Sequence, residues 1–159
     1  MGGHQSARAN TVVWFTPPEI LQELGPFDLD PCTMQTRPFD TAKKHVCYPE
    51  NGLEILWHGR VWLNPPYGLE TGKWLRKLAA HENGTAIIFA RTDTRMFFEE
   101  VWEKASGILF IKGRIHFLRA DGERAKANSG APSCLVAYGE DDSEILRTCG
   151  IEGKFIKNV

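Results

Sequence analysis

The sequence predicts an α/β domain built on a mostly parallel sheet that finishes in an antiparallel strand pair. Three observations carry that expectation. Compact apolar runs alternate with stretches of helical spacing, first at residues 60–63 and 70–81, then at 85–90, 94–104 and 107–111, and such alternation builds parallel sheets with helices on their faces. The most unusual residues stand directly after those runs, where open α/β sheets bind ligands. At 159 residues the chain has the length of one domain with one core.

Residues 1–12 are small, polar and Gly-containing, which predicts a mobile N-terminal arm ahead of a single domain at 13–159. In Thr16-Pro17-Pro18-Glu19, Thr is a capping residue, Pro suits a first helical turn and Glu suits the positive helix end. A short helix to about Leu24 is expected, stopped by Gly25-Pro26. Phe27-Asp28-Leu29-Asp30 then alternates apolar with acidic before Pro31, as a strand ending at a pocket would.

Residues 33–52 are irregular, with Pro38, Pro49 and Asn51-Gly52 as breakers, and read as loop with a possible second strand around 44–48. Arg60-Val61-Trp62-Leu63 is a β-type run that ends at once in Asn64-Pro65-Pro66-Tyr67-Gly68. Helical spacing follows in Trp74, Leu75 and Leu78. Residues 85–90 and 107–111 read as buried strands around an amphipathic helix at 94–104. Residues 115–118 and 133–138 flank a polar stretch, 119–132, and are expected to form the terminal antiparallel pair. A loop that long in a compact domain is usually functional or disordered.

Nineteen basic and twenty acidic residues leave a formal charge of −1, so no global positive field draws the chain to nucleic acid, and any such contact must use a local patch. Cys32, Cys47, Cys134 and Cys149 lack the close pairing of a zinc site or disulfide scaffold. The five histidines are dispersed, so no metal is expected. No run suits a membrane span and residues 1–11 lack a signal-peptide core, which predicts a cytoplasmic protein.

Three groups stand at predicted strand ends: Asp30-Pro31-Cys32, Asn64-Pro65-Pro66-Tyr67 and Arg91-Thr92-Asp93. In the second, two prolines remove backbone donors and stiffen the loop, leaving carbonyls free to accept. The Asn64 side-chain oxygen and the Pro65 carbonyl suit the two N–H groups of an aromatic amine, and Tyr67 suits stacking on its ring. Arg91 and Asp93 read either as a local ion pair or as target-strand contacts. Lys112, Arg114, Arg119, Arg124 and Lys126 form the one basic concentration, read either as phosphate contacts or as a solvated loop.

Asn64-Pro65-Pro66-Tyr67 resembles motif IV of the amino-group methyltransferases. Trp14-Phe15-Thr16-Pro17-Pro18-Glu19 resembles their cofactor-side segment, motif X, and Phe27-Asp28-Leu29-Asp30-Pro31-Cys32 resembles motif I. Closer still is the phage-encoded N-6-adenine methyltransferase family, through Gly52-Leu53, Trp57, the run 61–68, Arg91-Thr92-Asp93-Thr94, Gly113-Arg114-Ile115-His116-Phe117 and Ala131-Pro132-Ser133. The resemblance spans about residues 14–139.

It implies a Rossmann-like class I methyltransferase fold, S-adenosylmethionine as methyl donor and DNA as partner, with the oligomeric state open. Asn64, Pro65, Pro66 and Tyr67 would be catalytic. Trp14, Thr16, Pro17, Asp30, Pro31, Cys32 and Asn51 would face the cofactor, and Arg91, Lys112, Arg114, Arg119 and Arg124 the DNA. Three features depart from the pattern: Cys32-Thr33-Met34-Gln35 replaces the Gly-rich loop that normally follows a motif I strand, no clear acidic residue marks the end of a second strand to bind ribose, and Asn51 stands where relatives carry Asp. The target adenine would have to leave the duplex stack to react. The same tetrapeptide also serves methylation of cytosine, RNA guanine or protein glutamine, and a catalytically silent module of the same fold is the reading from a different class.

Overall fold

The chain enters through helix α1 (Pro18–Leu24) and strand β1 (Leu29–Thr33), in a computed structural model that describes residues 14–126 and 129–158. The predicted arm at 1–12 lies outside the described residues. Pro18 opens α1 with its fixed φ, and Gly25, at φ 83°, lets the chain turn away after Leu24. Pro17, not Thr16, is the N-cap, and no side chain caps the helix. The expected Thr16 cap is therefore not formed, because a proline already in extended geometry occupies that position.

Strand β2 (Lys44–Cys47), a 3₁₀ turn at Gly52–Glu54 and strand β3 (Val61–Leu63) follow, then helix α2 (Thr71–His81) and strand β4 (Gly84–Phe89). The expected helix at 94–104 is a single α-turn, α3 (Arg95–Phe97), that widens into a π-helical turn at Phe98–Trp102. Buried Glu100 sits in the wide turn. Its carboxylate accepts from Arg76 at 3.1 Å and Lys104 at 3.0 Å, and its carbonyl accepts from the Tyr138 hydroxyl at 2.5 Å. Strands β5 (Gly107–Ile111) and β6 (Ser133–Tyr138), helix α4 (Glu140–Thr148) and strand β7 (Gly153–Lys157) complete the chain.

The strands form one sheet in the order β2-β1-β3-β4-β6-β5-β7, parallel from β2 to β4. Antiparallel pairing occurs at the far end, as expected, but with other members. Strand β6 inserts between β4 and β5, antiparallel to both, and β7 covers the outer edge of β5. Residues 115–118 are not a strand of the sheet. Leu118 instead bridges Phe15 and Arg124, and Ala125 donates to the Phe117 carbonyl at 2.9 Å, so this segment folds onto its own loop and the entering chain.

Side-chain alternation splits the core into two layers. Val61, Leu63, Ala86, Ile88 and Val136 face α2 and the π turn, while Trp62, Ile87, Leu109 and Leu135 face α1 and α4. The all-apolar run 61–63 follows from this, since β3 is buried on both faces. At the amino end of the sheet, Asp142 of α4, 1% exposed at its side chain, accepts from Arg60 Nε at 3.0 and 3.1 Å and from the Thr85 hydroxyl at 2.6 Å. Among the described residues no helix is long and apolar enough to cross a membrane.

Candidate active site

Strand order reverses at β1: β2 lies on one side of it and β3 on the other. Ligands in open α/β sheets bind at such a switch point, outside the carboxyl ends of the strands. Asn64 follows the carboxyl end of β3, whereas Asp30 is the second residue of β1: the strand expected to stop before Pro31 runs on through Pro31 and Cys32 to Thr33. Alternation puts Asn64 on the same sheet face as Trp62, the layer that also holds Trp14 and Phe89.

Asn64 Nδ2 donates to the Trp14 carbonyl at 3.1 Å. A carbonyl only accepts, so this contact fixes which end of the amide is the NH₂ group and turns Oδ1 the other way. Neither Asn64 Oδ1 nor the Pro65 carbonyl has a partner among the described residues. The Pro66 carbonyl is used: the Thr71 hydroxyl donates to it at 2.6 Å and ties the loop to the start of α2. Two adjacent acceptors therefore stay free on a loop made rigid by two prolines.

Tyr67 stacks on Phe89, with ring centroids 4.5 Å apart and planes 8° from parallel. A cavity of about 210 Å³ opens beside them, lined by Trp14, Tyr67, Phe89, Phe117, Lys126 and Ser129 among others. Burial pushes the Tyr67 hydroxyl up to about 12, and the phenol is neutral at physiological pH although the residue is 39% exposed.

The expected cofactor-side residues divide into two groups. Trp14 and Thr16 run beside Asn64, and Thr16 Oγ1 is buried with no hydrogen-bond partner among the described residues. Buried polar atoms are seldom left so. Pro17 is buried at the start of α1.

Asp30, Pro31, Cys32 and Asn51 belong to a wall whose bonds are largely internal. Asp30, 2% exposed, accepts from the Thr41 hydroxyl and from the Cys32 amide at 3.2 Å. Its carboxylate is thus not free for ribose. A Cβ on Gly52 would lie 2.0 Å from the Pro31 carbonyl, so only glycine allows this close approach. Asn51 is exposed and caps the 3₁₀ turn by accepting from Leu53 at 3.0 Å. Arg37 knits the segment that replaces a Gly-rich loop, donating to the carbonyl of Met34 at 3.0 Å, to Asp40 at 3.0 Å and approaching His45 Nδ1 at 3.1 Å.

Desolvation raises the Asp30 carboxyl to about 6, against the opposing Thr41 and Cys32 bonds and the charge of Arg37. The folded chain therefore keeps a proton at Asp30 up to about pH 6, whereas the unfolded chain releases it near the ordinary aspartate value of 3.8. Between those values the folded state binds more protons, so this group lowers stability as pH rises. Asp30→Asn is expected to flatten the stability–pH curve between about pH 4 and 6, measured by urea unfolding at stepped pH. An unaltered slope would remove the assignment.

The expected DNA-side cations do not form one free patch. Lys112 lies 3.9 Å from Glu152, Arg119 4.0 Å from Asp121, and Arg124 pairs with Glu19. No Arg91–Asp93 pair forms among the described residues; the Arg91 guanidinium lies 5.8 Å from the Phe89 ring centroid. Arg91, Arg114 and Lys126 are exposed and have no ion-pair partner among the described residues.

Phe89, Phe117 and Glu50 were not singled out by their sequence signals. Phe89 ends an apolar run and Phe117 an alternating one, so both read as core. Glu50 follows the turn after β2, where its amide donates to the Cys47 carbonyl at 3.0 Å.

Residues 4–149 match the family model described as DNA N-6-adenine-methyltransferase (Dam). No curated protein and no solved structure matches the chain.

Proposed function

Because the chain belongs to the DNA N-6-adenine-methyltransferase (Dam) family, we propose that it moves a methyl group from S-adenosylmethionine to the exocyclic amine of an adenine taken out of the DNA stack. Membership implies adenine methylation of DNA; the donor, the residues and the flipped base are our reading. One observation carries it: the Asn64 amide is pinned by Trp14 with Oδ1 free beside the free Pro65 carbonyl. Two acceptors side by side match an NH₂ group.

The fold supports a class I, Rossmann-like assignment through its switch point at β1 and its antiparallel β6 inserted beside β4. Residues 13–159 would act as one methyltransferase domain. Thr16, with a buried hydroxyl and no partner, fits a polar end of the cofactor. Trp14, Pro17, Pro31 and Cys32 would form the surrounding wall, and Asp30 would shape it from behind. Glu50, in the turn after β2, stands where doubly wound folds put the carboxylate that meets ribose. Glu50→Gln is expected to weaken S-adenosylmethionine about tenfold by calorimetry, about the free energy of one charge-assisted hydrogen bond. Equal affinity would exclude it.

S-adenosylmethionine, when bound, supplies a methyl group already activated on a sulfonium. The protein's task is alignment and exclusion of water. Asn64 Oδ1 and the Pro65 carbonyl hold the two amine hydrogens, which draws the nitrogen out of conjugation and exposes its lone pair. Tyr67 holds the ring by stacking, offsetting part of the few kcal/mol that flipping costs. Arg91, Arg114 and Lys126 are the cations free to meet phosphates, with Lys112, Arg119 and Arg124 available only by leaving their carboxylates.

Transfer of labelled methyl to DNA lacking methylated adenine, followed by nucleoside analysis, tests the reading. Label in methyladenine upholds it. Label in cytosine, RNA or protein moves the target elsewhere, and no label with no cofactor binding overturns it.

A further inference from the structure

The Tyr67–Phe89 stack is tighter than a slot. At a centroid separation of 4.5 Å and 8° between planes, no base fits between the two rings. A target base must then lie on the other face of Tyr67, with Phe89 behind it. The two rings differ in how firmly they are held. Tyr67 sits on the loop after β3, outside the strand ladder, with part of its ring exposed and open space beside Gly68. Phe89 ends β4 and is fixed by the ladder, opposite Ser133, with Arg91 above its ring.

We propose that Phe89 is a positioning residue for the target base: it is the rigid backing that holds the Tyr67 ring parallel to its own, so that the base completes a column anchored on β4. This rests on the reading of Tyr67 as the ring that stacks on the target. Stacking on a fixed ring requires little further ordering, whereas stacking on a ring free about two torsions and a glycine must first immobilise it. The interaction is made with the flipped base before and during transfer alike, so its loss should act on substrate binding and not on the chemical step.

The test compares wild type, Phe89→Leu and Phe89→Tyr for steady-state methylation of undermethylated DNA, with cofactor affinity by calorimetry and thermal unfolding alongside. In Phe89→Leu we expect KM for DNA to rise about tenfold, the lower part of what a lost base stack costs, with kcat and cofactor affinity retained. Phe89→Tyr, which keeps the ring, should rescue KM. Phe89→Met, similar in bulk and adaptable, gives the same comparison if the leucine chain does not fold. An unchanged KM in the ringless variants overturns the proposal, as does failure of Phe89→Tyr to rescue. If wild type places no methyl on adenine, the functional reading falls and this inference with it; adenine methylation with an indifferent Phe89 overturns the inference alone.

Discussion

Replacing Asn64 by alanine is expected to lower methyl transfer to adenine by about a thousandfold, the range seen when one preorganised polar group is removed from an active site. Cofactor affinity should be retained, because the amide faces the target side. The reason lies in one contact: Trp14 accepts from Nδ2 and so aims Oδ1. Asn64→Asp separates aiming from accepting. It keeps an oxygen toward the amine but sets a second one against the Trp14 carbonyl, with no proton between them. Loss of about 1 kcal/mol in urea unfolding is expected for the aspartate variant, the low end for an acceptor left unsatisfied, because Asn64 and Trp14 are only half-buried. Near-normal turnover in Asn64→Ala would remove this residue from the catalytic set.

The largest effect on stability is expected from Asp142→Ala. Asp142 is buried and takes three hydrogen bonds, two from Arg60 and one from Thr85. Arg60, 15% exposed at its side chain, also stacks on Phe27 with its guanidinium carbon 4.0 Å from the ring centroid, and its Nη2 has no partner among the described residues. Removing the carboxylate strands that charge, which costs about 3–5 kcal/mol for buried pairs. Against a typical total of about 5–15 kcal/mol, this is a large share of the stability. Urea midpoints with an unchanged m-value measure it, and a loss below about 1 kcal/mol would mean that the pair behaves as an exposed one. The pair lies at the opposite end of the sheet from Asn64, so catalysis per folded molecule should persist.

The loop at Asn64–Tyr67 was legible because its signals are local. Val61, Trp62 and Leu63 stop abruptly at Asn64, and the prolines and the helix after them define strand, loop and helix without reference to anything distant. Helix α4 and strand β7 were not legible for the opposite reason. The inward side of α4 carries Asp142 and Ser143, satisfied by Arg60 and by the Ser106 carbonyl at 3.3 Å, so the apolar stripe that marks a helix is missing. Strand β7 is mostly exposed along its length and carries no apolar alternation.

Residues 115–118 alternate like a strand, yet their partners are a loop and the entering segment, which periodicity cannot distinguish. The pairing within the basic concentration was not legible because Arg124 meets Glu19, 105 positions away. Phe89 was hidden for a related reason: the ring it stacks on, Tyr67, belongs to a different loop.

The placement of β6 also governs the order in which the molecule is assembled. Residues 133–138 lie between two strands made earlier, so β4 and β5 have no partners on their facing edges until the later segment arrives. Some twenty residues separate β5 from β6, roughly one to four seconds of synthesis at about 5–20 residues per second. During that interval two apolar edges, GTAIIF and GILFI, are open to pairing with other chains. The ladder that fixes Phe89 closes only then, so the loop at Asn64–Tyr67 is made before the ring stacked on Tyr67 is held in its strand pair.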